Sequence, residues 1–552
     1  MKKILIIFLI VVGIVPAETK RETRAVWVAT NHRLDWPPPT FDIDIQKKAL
    51  IEIFDSVKAK KLNTVYFQVR SNGTVMFNSS YDPPSPYVSP GFDVLAFATE
   101  EAHKRGLELH AWINAVQVFA SNSLTVDSNH IAVRKPEWIL RHKDENGVSL
   151  WLDIGRPEVR NYLKNLVTEL IERYDVDGIQ LDYIRYPGNN IDDDYSYANY
   201  GGNENRDEWR RNNVTELIES IYKNVKSVKP YVKVGATPIG IYRNLKGMYG
   251  WEGYSQVYQD SREWLRRGIL DYIAPQVYWS FEDQTAFDKI AREWVENSFG
   301  KNVIVGIAAY KPEVKAVINK MVEFSQKIGA DGIAFFRYSN IKEIRIASFA
   351  NISIPQRLQD AETVNDFRLS TFTAEYSEKY NSIELNWQKN TGNSSDERYY
   401  ALYCLPDSNS ELSNEYLIDI IPAALNSWNL EINRLKFPKC YFAITSLNKY
   451  WQESNRDFHL PYIDFFEDFR DILSYDSKPA LVKGSGGEVK LLIFGEDKET
   501  IEVEYKSEQE YVLKEYTLET GKNIIVEKDA PAELKYVIIT FKKSNKKNEL
   551  KF

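Results

Sequence analysis

From Arg24 to about Ser339, short apolar and β-branched runs alternate with amphipathic helical stretches, and nothing else in the chain constrains its fold as tightly. Strands that follow one another in parallel need a crossover, and a helix with one apolar stripe supplies it. The strand candidates are Ala25–Thr30, Thr64–Val69, Glu108–Ile113, Gly178–Tyr183, Lys233–Thr237, Tyr272–Tyr278, Val303–Ala309 and Gly332–Arg337. Eight such units predict a closed (β/α)8 TIM barrel, an α/β fold, because open doubly wound sheets usually hold fewer strands. Ile45, Ala49, Ile53 and Val57 recur every four residues as a helix stripe. Pro157 precedes Val159, Leu163, Leu166, Val167 and Leu170, where a first-turn proline is favoured.

Beyond Ile341 helical periodicity fades. Ser382–Trp387, Tyr399–Cys404 and Tyr441–Thr445 alternate as half-buried strands do, and this block resembles a fibronectin type III domain. Glu488–Phe494, Thr500–Tyr505 and Tyr536–Phe541 follow and resemble a second immunoglobulin-like sandwich, with the charged tail from Lys542 expected to fray. The expected division is a signal peptide at 1–17, the barrel at 18–355, one all-β sandwich at 356–458 and another at 459–552. Lys2 and Lys3, the apolar stretch from Ile4 to Val12 and the small-residue site Val15-Pro16-Ala17 read as a secretory signal, so the mature protein is expected to be secreted or periplasmic. The stretch is shorter than the ~20 residues of a membrane span, so none is expected. In an oxidising compartment Cys404 and Cys440 form a disulfide or stay as two buried thiols, and the spacing fits either.

A net charge of −8 without a Lys/Arg cluster argues against a nucleic-acid partner. The six histidines lack metal-ligand spacing, and neither a Gly-x-Ser-x-Gly elbow nor a phosphate-cradling glycine loop occurs, so no metal or cofactor is expected. His110 is expected to be a hydrogen-bonded barrel residue. Thirty-four Tyr, 26 Phe and 13 Trp suit stacking on sugar faces, although core packing accounts for most of them.

Reacting groups of such a barrel sit at the C-terminal ends of its strands. Strand alternation puts Gln180 and Asp182 on one face of the fourth strand, with Asp182 at its end, and a carboxylate aimed into a barrel mouth is costly to bury without a purpose. Asp177 lies at the opposite end and reads as a turn residue.

Arg24-Ala-Val-Trp27-Val, Tyr66-Phe-Gln-Val-Arg70, the segment from Glu101 to Asn114, the segment from Asp177 to Pro187 and Asp271-Tyr-Ile-Ala-Pro-Gln276-Val-Tyr278-Trp279 together resemble the glycosyl-hydrolase-like family 10. The resemblance runs from about Thr23 to Ser339 and implies an exported bacterial barrel that cleaves cell-wall glycan, with peptide-free peptidoglycan strands as the associated substrate. It places the fourth-strand acid at Asp182. Glycoside hydrolysis usually employs a second carboxyl, for which Glu252 stands ahead of Asp35 and Asp153. Asp260, with Glu263 three residues on, reads instead as a helix N-cap. The fourth strand also resembles the acidic run of family 18 chitinases, but Gln180 replaces one acid and Ile184 or Arg185 stands where the glutamate belongs, so substrate-assisted cleavage would need its acid from elsewhere.

Trp27, Trp112 and Trp279 are expected near strand ends as sugar platforms, and Tyr278 suits contact with an N-acetyl group. Arg70, Asn114, Arg185 and Gln276 are expected as hydroxyl or carboxylate partners, Arg suiting a lactyl acid in particular. Asp35-Trp36-Pro37-Pro38-Pro39 suits one wall of a cleft. The alternative from another class is a catalytically inactive polysaccharide-binding or cell-surface adhesion protein.

Overall fold

The computed structural model describes residues 21–551 apart from 120–126, 145–146, 359–366, 378–381, 391–396, 432–433, 436–439, 464–478, 484–488, 496–497, 519–520, 528 and 532. The expected signal peptide therefore lies outside the described residues.

All eight expected strands form. They are β1 (Thr23–Val28), β2 (Thr64–Ser71), β3 (Glu108–Asn114), β4 (Gly178–Asp182), β5 (Lys233–Ala236), β6 (Tyr272–Ile273), β7 (Asn302–Ile307) and β8 (Gly332–Phe335). Each pairs in parallel with its neighbour, and β1 pairs with both β2 and β8, which closes the barrel. The crossovers are α1 (Ile43–Ala59), α2 (Val94–Lys104), α3 (Pro157–Arg173), α4 (Arg206–Val228), α5 (Ser261–Arg266), α6 (Phe287–Glu296) and α7 (Ile318–Lys327). Pro157 opens α3 as expected, and Asp260 caps α5 by accepting from the Glu263 amide at 3.4 Å. The stripe of α1 is rotated from the expected one. Ile45 is 51% exposed, whereas Leu50, Ile53, Phe54 and Val57 are buried. Gln46 joins them because its amide nitrogen donates to the Thr40 and Tyr87 carbonyls.

Large rings and small residues share the barrel interior. Trp27, Tyr66, Trp112 and Tyr272 share this interior with Ala25, Ala274 and Ala334. A Cβ on Gly178 would lie 2.5 Å from the His110 ring, and one on Gly235 would lie 2.1 Å from the Tyr272 ring. Neither site therefore tolerates a larger residue. His110 shares a hydrogen bond with the Tyr272 hydroxyl at 2.8 Å, in the packing role expected of it.

Between β3 and α3 the chain inserts a three-stranded antiparallel sheet, Gln117–Phe119, Ile139–Asp144 and Gly147–Leu152, at the mouth.

The C-terminal third is all-β. A three-stranded sheet (Leu369–Ser377, Ser382–Lys389, Ser427–Glu431) and a four-stranded one (Leu417–Pro422, Glu397–Leu405, Cys440–Asn448, Tyr462–Ile463) enclose one core containing Leu385, Trp387, Leu402 and Phe442. Tyr462–Ile463 pairs with Cys440 and Tyr441, so this sandwich continues to 463. Cys404 and Cys440 are both buried and are not joined in a disulfide. The second pair of sheets joins Val489–Gly495 and Glu499–Lys506 across a core of Leu491, Ile493, Val503 and Ile539. The tail is not frayed, because Lys546–Lys551 pairs with Tyr536–Phe541 and turns Leu550 towards that core.

The first sandwich docks on the N-terminal face of the barrel, opposite the mouth. Arg398 pairs with Asp177 at 2.6 Å, Lys58 pairs with Asp419 at 2.8 Å, and the Tyr231 and Tyr450 rings meet edge to face. Asp177 is thus an interdomain anchor rather than a simple turn residue.

Candidate active site

Strand β4 delivers Gln180 and Asp182 to the barrel interior as its alternation requires. Gln180 accepts from the Trp27 indole at 2.7 Å. That bond holds Trp27, 1% exposed, inside the barrel, so it is not a sugar platform. Asp182 sits one step higher at the mouth and is 6% exposed. Three donors surround its carboxylate: Trp112 Nε1 at 3.1 Å, the Tyr183 amide at 2.8 Å and Gln276 Nε2 at 3.5 Å. Tyr183 follows with φ of 49°, a left-handed turn that costs a non-glycine residue about 1–2 kcal/mol. The turn folds the chain back so that Arg185 comes near the carboxylate it has just passed. Strain of this kind persists where surrounding structure over-determines it, which is common at functional sites.

Burial pushes the Asp182 carboxyl up to about 6, against the opposing pull of the Tyr183 amide, the Arg185 charge and the Trp112 indole. Desolvation therefore wins over hydrogen bonding here. Tyr278 approaches from the loop after β6. Burial first, and then the nearby Asp182, Tyr310 and Tyr183, hold its hydroxyl protonated far above the usual range. Its ring lies 5.7 Å from Phe336 and 6.2 Å from Tyr310, and the Trp112 ring lies 6.4 Å from Phe336. Trp112, Asp182, Gln276 and Tyr278 thus come together, with Arg185 beside them.

The remaining expected residues are placed differently. Arg70 has no exposed side-chain surface and pairs with Asp82 at 2.7 Å. It also donates to the Asn114 and Ala115 carbonyls, so its charge is spent inside the wall and not on a sugar. Asn114, 4% exposed, accepts from Gln68 at 3.3 Å. Asp35 likewise has no exposed side-chain surface, being held by the Ala29 amide at 2.8 Å, the Ser339 amide at 2.9 Å and Arg337 at 2.7 Å. It ties the β1 loop to the β8 loop. Trp36 beside it is fully buried against Phe67. Asp153 accepts from Gly155 and Arg156 in its own loop and from Ser196 in the segment after β4. Trp279 is partly buried against the barrel core.

Glu252 lies in the long loop after β5 and accepts from the Asn244 amide at 2.5 Å and from the Ser255 hydroxyl. Burial raises its proton affinity, but these hydrogen bonds and Arg243 outweigh it, and the carboxyl ends below its usual range. Its neighbour Trp251, 47% exposed, places its ring 4.8 Å from the Arg185 guanidinium. Trp151, from the inserted sheet, lies 4.9 Å from the same group. Sequence reading missed both tryptophans. Trp251 was marked only by adjacency to Glu252, and Trp151 only by lying in a long segment between two barrel strands.

Among the described residues no helix is long and apolar enough to cross a membrane, and no cluster of His, Cys, Asp and Glu has the arrangement of a metal site.

Several known proteins resemble this chain. Glycosyl hydrolase DigH of Escherichia coli (strain K12) is 35% identical over 336 residues, covering 54% of this chain and 76% of the relative. Glycosyl hydrolase YngK of Bacillus subtilis (strain 168) is 34% identical over 322 residues, covering 53% of this chain and 62% of the relative. Among solved structures, the PgaB (BpsB) glycoside hydrolase domain from Bordetella bronchiseptica aligns with a TM-score of 0.45 at 13% identity, covering 60% of this chain and 99% of that one. Residues 22–326 match the family Glycosyl hydrolase-like 10, and the chain belongs to that family of glycoside hydrolases.

Proposed function

We propose that the protein is an exported glycosidase that cleaves a bacterial cell-wall or related polysaccharide, with Asp182 as proton donor and peptide-free peptidoglycan glycan as the first substrate to try. The observation that carries this reading is the Asp182 carboxyl, buried at the barrel mouth and raised to about 6, which keeps a proton available near neutral pH. Asp182 gives that proton to the glycosidic oxygen as its bond to the anomeric carbon breaks. A second carboxylate then meets the positive charge on that carbon as base or nucleophile. Glu252 is the candidate, since its surroundings keep it ionised while those of Asp182 keep a proton on it. Environments that drive two carboxyls apart in this way mark an acid and its partner.

Tyr278, Gln276 and Trp279 line the sugar side, with Tyr278 offering a hydroxyl to the substrate. Trp112 is a positioning residue, holding the carboxylate plane through its indole. The N-terminal signal supports export, and the strand pattern of the first sandwich supports a fibronectin type III-like fold. Because that sandwich docks on the opposite face of the barrel, it serves as a spacer or a separate carbohydrate contact and not as a wall of the cleft.

The test is incubation of the purified protein and of Asp182→Asn with peptide-free peptidoglycan strands, following new reducing ends. Equal release by both proteins would remove Asp182 from the reaction.

A further inference from the structure

Arg185 differs from four other arginines on the mouth side of the barrel. Arg70 pairs with Asp82, Arg156 with Asp153, Arg210 with Asp193 and Arg337 with Asp35. Arg185 has no carboxylate within ion-pair distance among the described residues. Its one hydrogen bond to them runs from Nη1 to the Tyr186 carbonyl at 3.2 Å. It is held by rings instead, at 4.9 Å from Trp151, 4.8 Å from Trp251 and 5.2 Å from Tyr183.

That arrangement has a chemical consequence. Aromatic rings cover the faces of a guanidinium and fix its plane, but they leave the N–H edge unmatched. An edge of that kind fits the two oxygens of a carboxylate, which it binds through parallel charge-assisted hydrogen bonds. A neutral saccharide would leave a partly buried cation without a counter-charge, which is unfavourable. Burial already lowers the proton affinity of this guanidinium, despite the opposing influence of Tyr183 and Asp182.

We propose that Arg185 is the specificity residue of the site and takes a carboxylate borne by the saccharide in the subsite next to Asp182. The inference rests on the glycosidase reading of the same mouth and narrows it to acid-bearing glycans, whether the acid is a lactyl ether or a uronate. The bond cleaved is then one flanked by an acidic sugar.

The test measures binding, so that it does not depend on turnover. The full chain carrying Asp182→Asn is titrated, by quenching of tryptophan fluorescence, with peptide-free peptidoglycan strands, with a hexuronan oligosaccharide and with the carboxyl-reduced form of each. At least one acid form is expected to bind roughly tenfold or more tightly than its reduced form, the scale of one charged hydrogen-bonded contact. Which of the two does so identifies the acid. Adding Arg185→Gln is expected to bring that ratio to about one. Arg185→Lys, which keeps the charge but not the planar fork, is expected to fall between them.

Equal binding of acid and reduced forms by the Asp182→Asn protein overturns the inference, and so does a preference that persists in both Arg185 variants. Cleavage by the unmodified chain without preference for acid forms also overturns it while leaving the glycosidase reading intact. Arg185-dependent preference without any cleavage does the reverse.

Discussion

Asp177 and Asp182 bracket strand β4, and their carboxyls are driven in opposite directions. Both are buried, at 3% and 6% exposure, so burial pushes each of them up. At Asp177 the Arg398 charge, His103 and the Leu109 amide overcome that push and hold the carboxyl far below the usual range. At Asp182 two hydrogen bonds and the charge of Arg185 do not, and the carboxyl settles at about 6. One strand thus carries a structural anion at the closed end of the barrel and a proton reservoir at the open end.

The rate should follow that proton. If Asp182 is the donor, kcat/KM on a glycan substrate is expected to fall as pH rises through about 6, because the free enzyme then loses the proton it must give. Asp182→Asn is expected to lower kcat by about 10²–10⁴-fold, the usual worth of a positioned acid, and to abolish this alkaline limb. A pH profile of kcat/KM for both proteins decides it, and an unchanged limb in the variant would assign the titration to another group.

The same substitution should stabilise the fold at neutral pH. A carboxyl whose folded pKa is raised adds no penalty below its unfolded value of about 3.9, and the penalty grows as pH rises towards the folded value. Above pH 6 it amounts to about 3 kcal/mol by linkage. The asparagine amide keeps one acceptor for the Tyr183 amide but turns a donor towards Trp112 Nε1, so the net gain is expected to be about 1–2 kcal/mol. Chemical denaturation at pH 7.5 and at pH 4 should show the gain at the higher pH alone.

The barrel was legible because each strand carries its own local signal and each crossover helix its own period. Asp182 was legible for the same reason, since two-residue alternation puts it on the face of Gln180 whatever lies across the barrel. Arg70 was misread because its role depends on Asp82, a loop residue that pattern alone cannot bring to it. Asp35 needed Arg337 from the loop after the last barrel strand, and the Arg185 stack needed Trp151 and Trp251 from two separate insertions. Relations between distant loops leave no periodic trace. The Lys546–Lys551 strand was missed because an edge strand rich in lysine looks like solvated tail, although charge on an edge is a common protection against further pairing.

Arg185 offers a second handle on the donor. Its charge lowers the proton affinity of Asp182. Of the other groups around that carboxyl, Tyr183 and Tyr278 stay neutral and protonated because their own pKa values are raised, while Trp112 and Gln276 do not titrate. Arg185→Gln is therefore expected to move the alkaline limb of kcat/KM to higher pH on a carboxyl-reduced glycan. An acidic substrate should act similarly in the unmodified protein by neutralising the guanidinium on binding, placing the limb of kcat above that of kcat/KM. Measuring both parameters against pH on acidic and reduced strands checks this, and coincident limbs in every case would show that Arg185 does not govern the proton.

At the closed end, the expected effect is on stability and not on chemistry. Asp177→Asn leaves the Arg398 guanidinium, whose side chain is 7% exposed, with a weakened set of partners. Breaking one side of such a buried pair typically costs about 3–5 kcal/mol. Asp175 also pairs with Arg398, which should keep the loss near the lower end of that range. The sign with pH is opposite to that of Asp182. A depressed carboxyl contributes its full stabilisation above about pH 4 and loses it as acid protonates the folded state, so wild type and variant should differ most at neutral pH and converge on acidification. Because the pair lies at the far end of the barrel from Asp182, kcat at a temperature where both proteins are folded should be the same within about twofold, the range within which distant, independent sites act separately. Denaturation curves at pH 7 and pH 3, with kcat measured well below the melting transition, test both halves, and a large fall in kcat without loss of stability would mean that the sandwich communicates with the mouth.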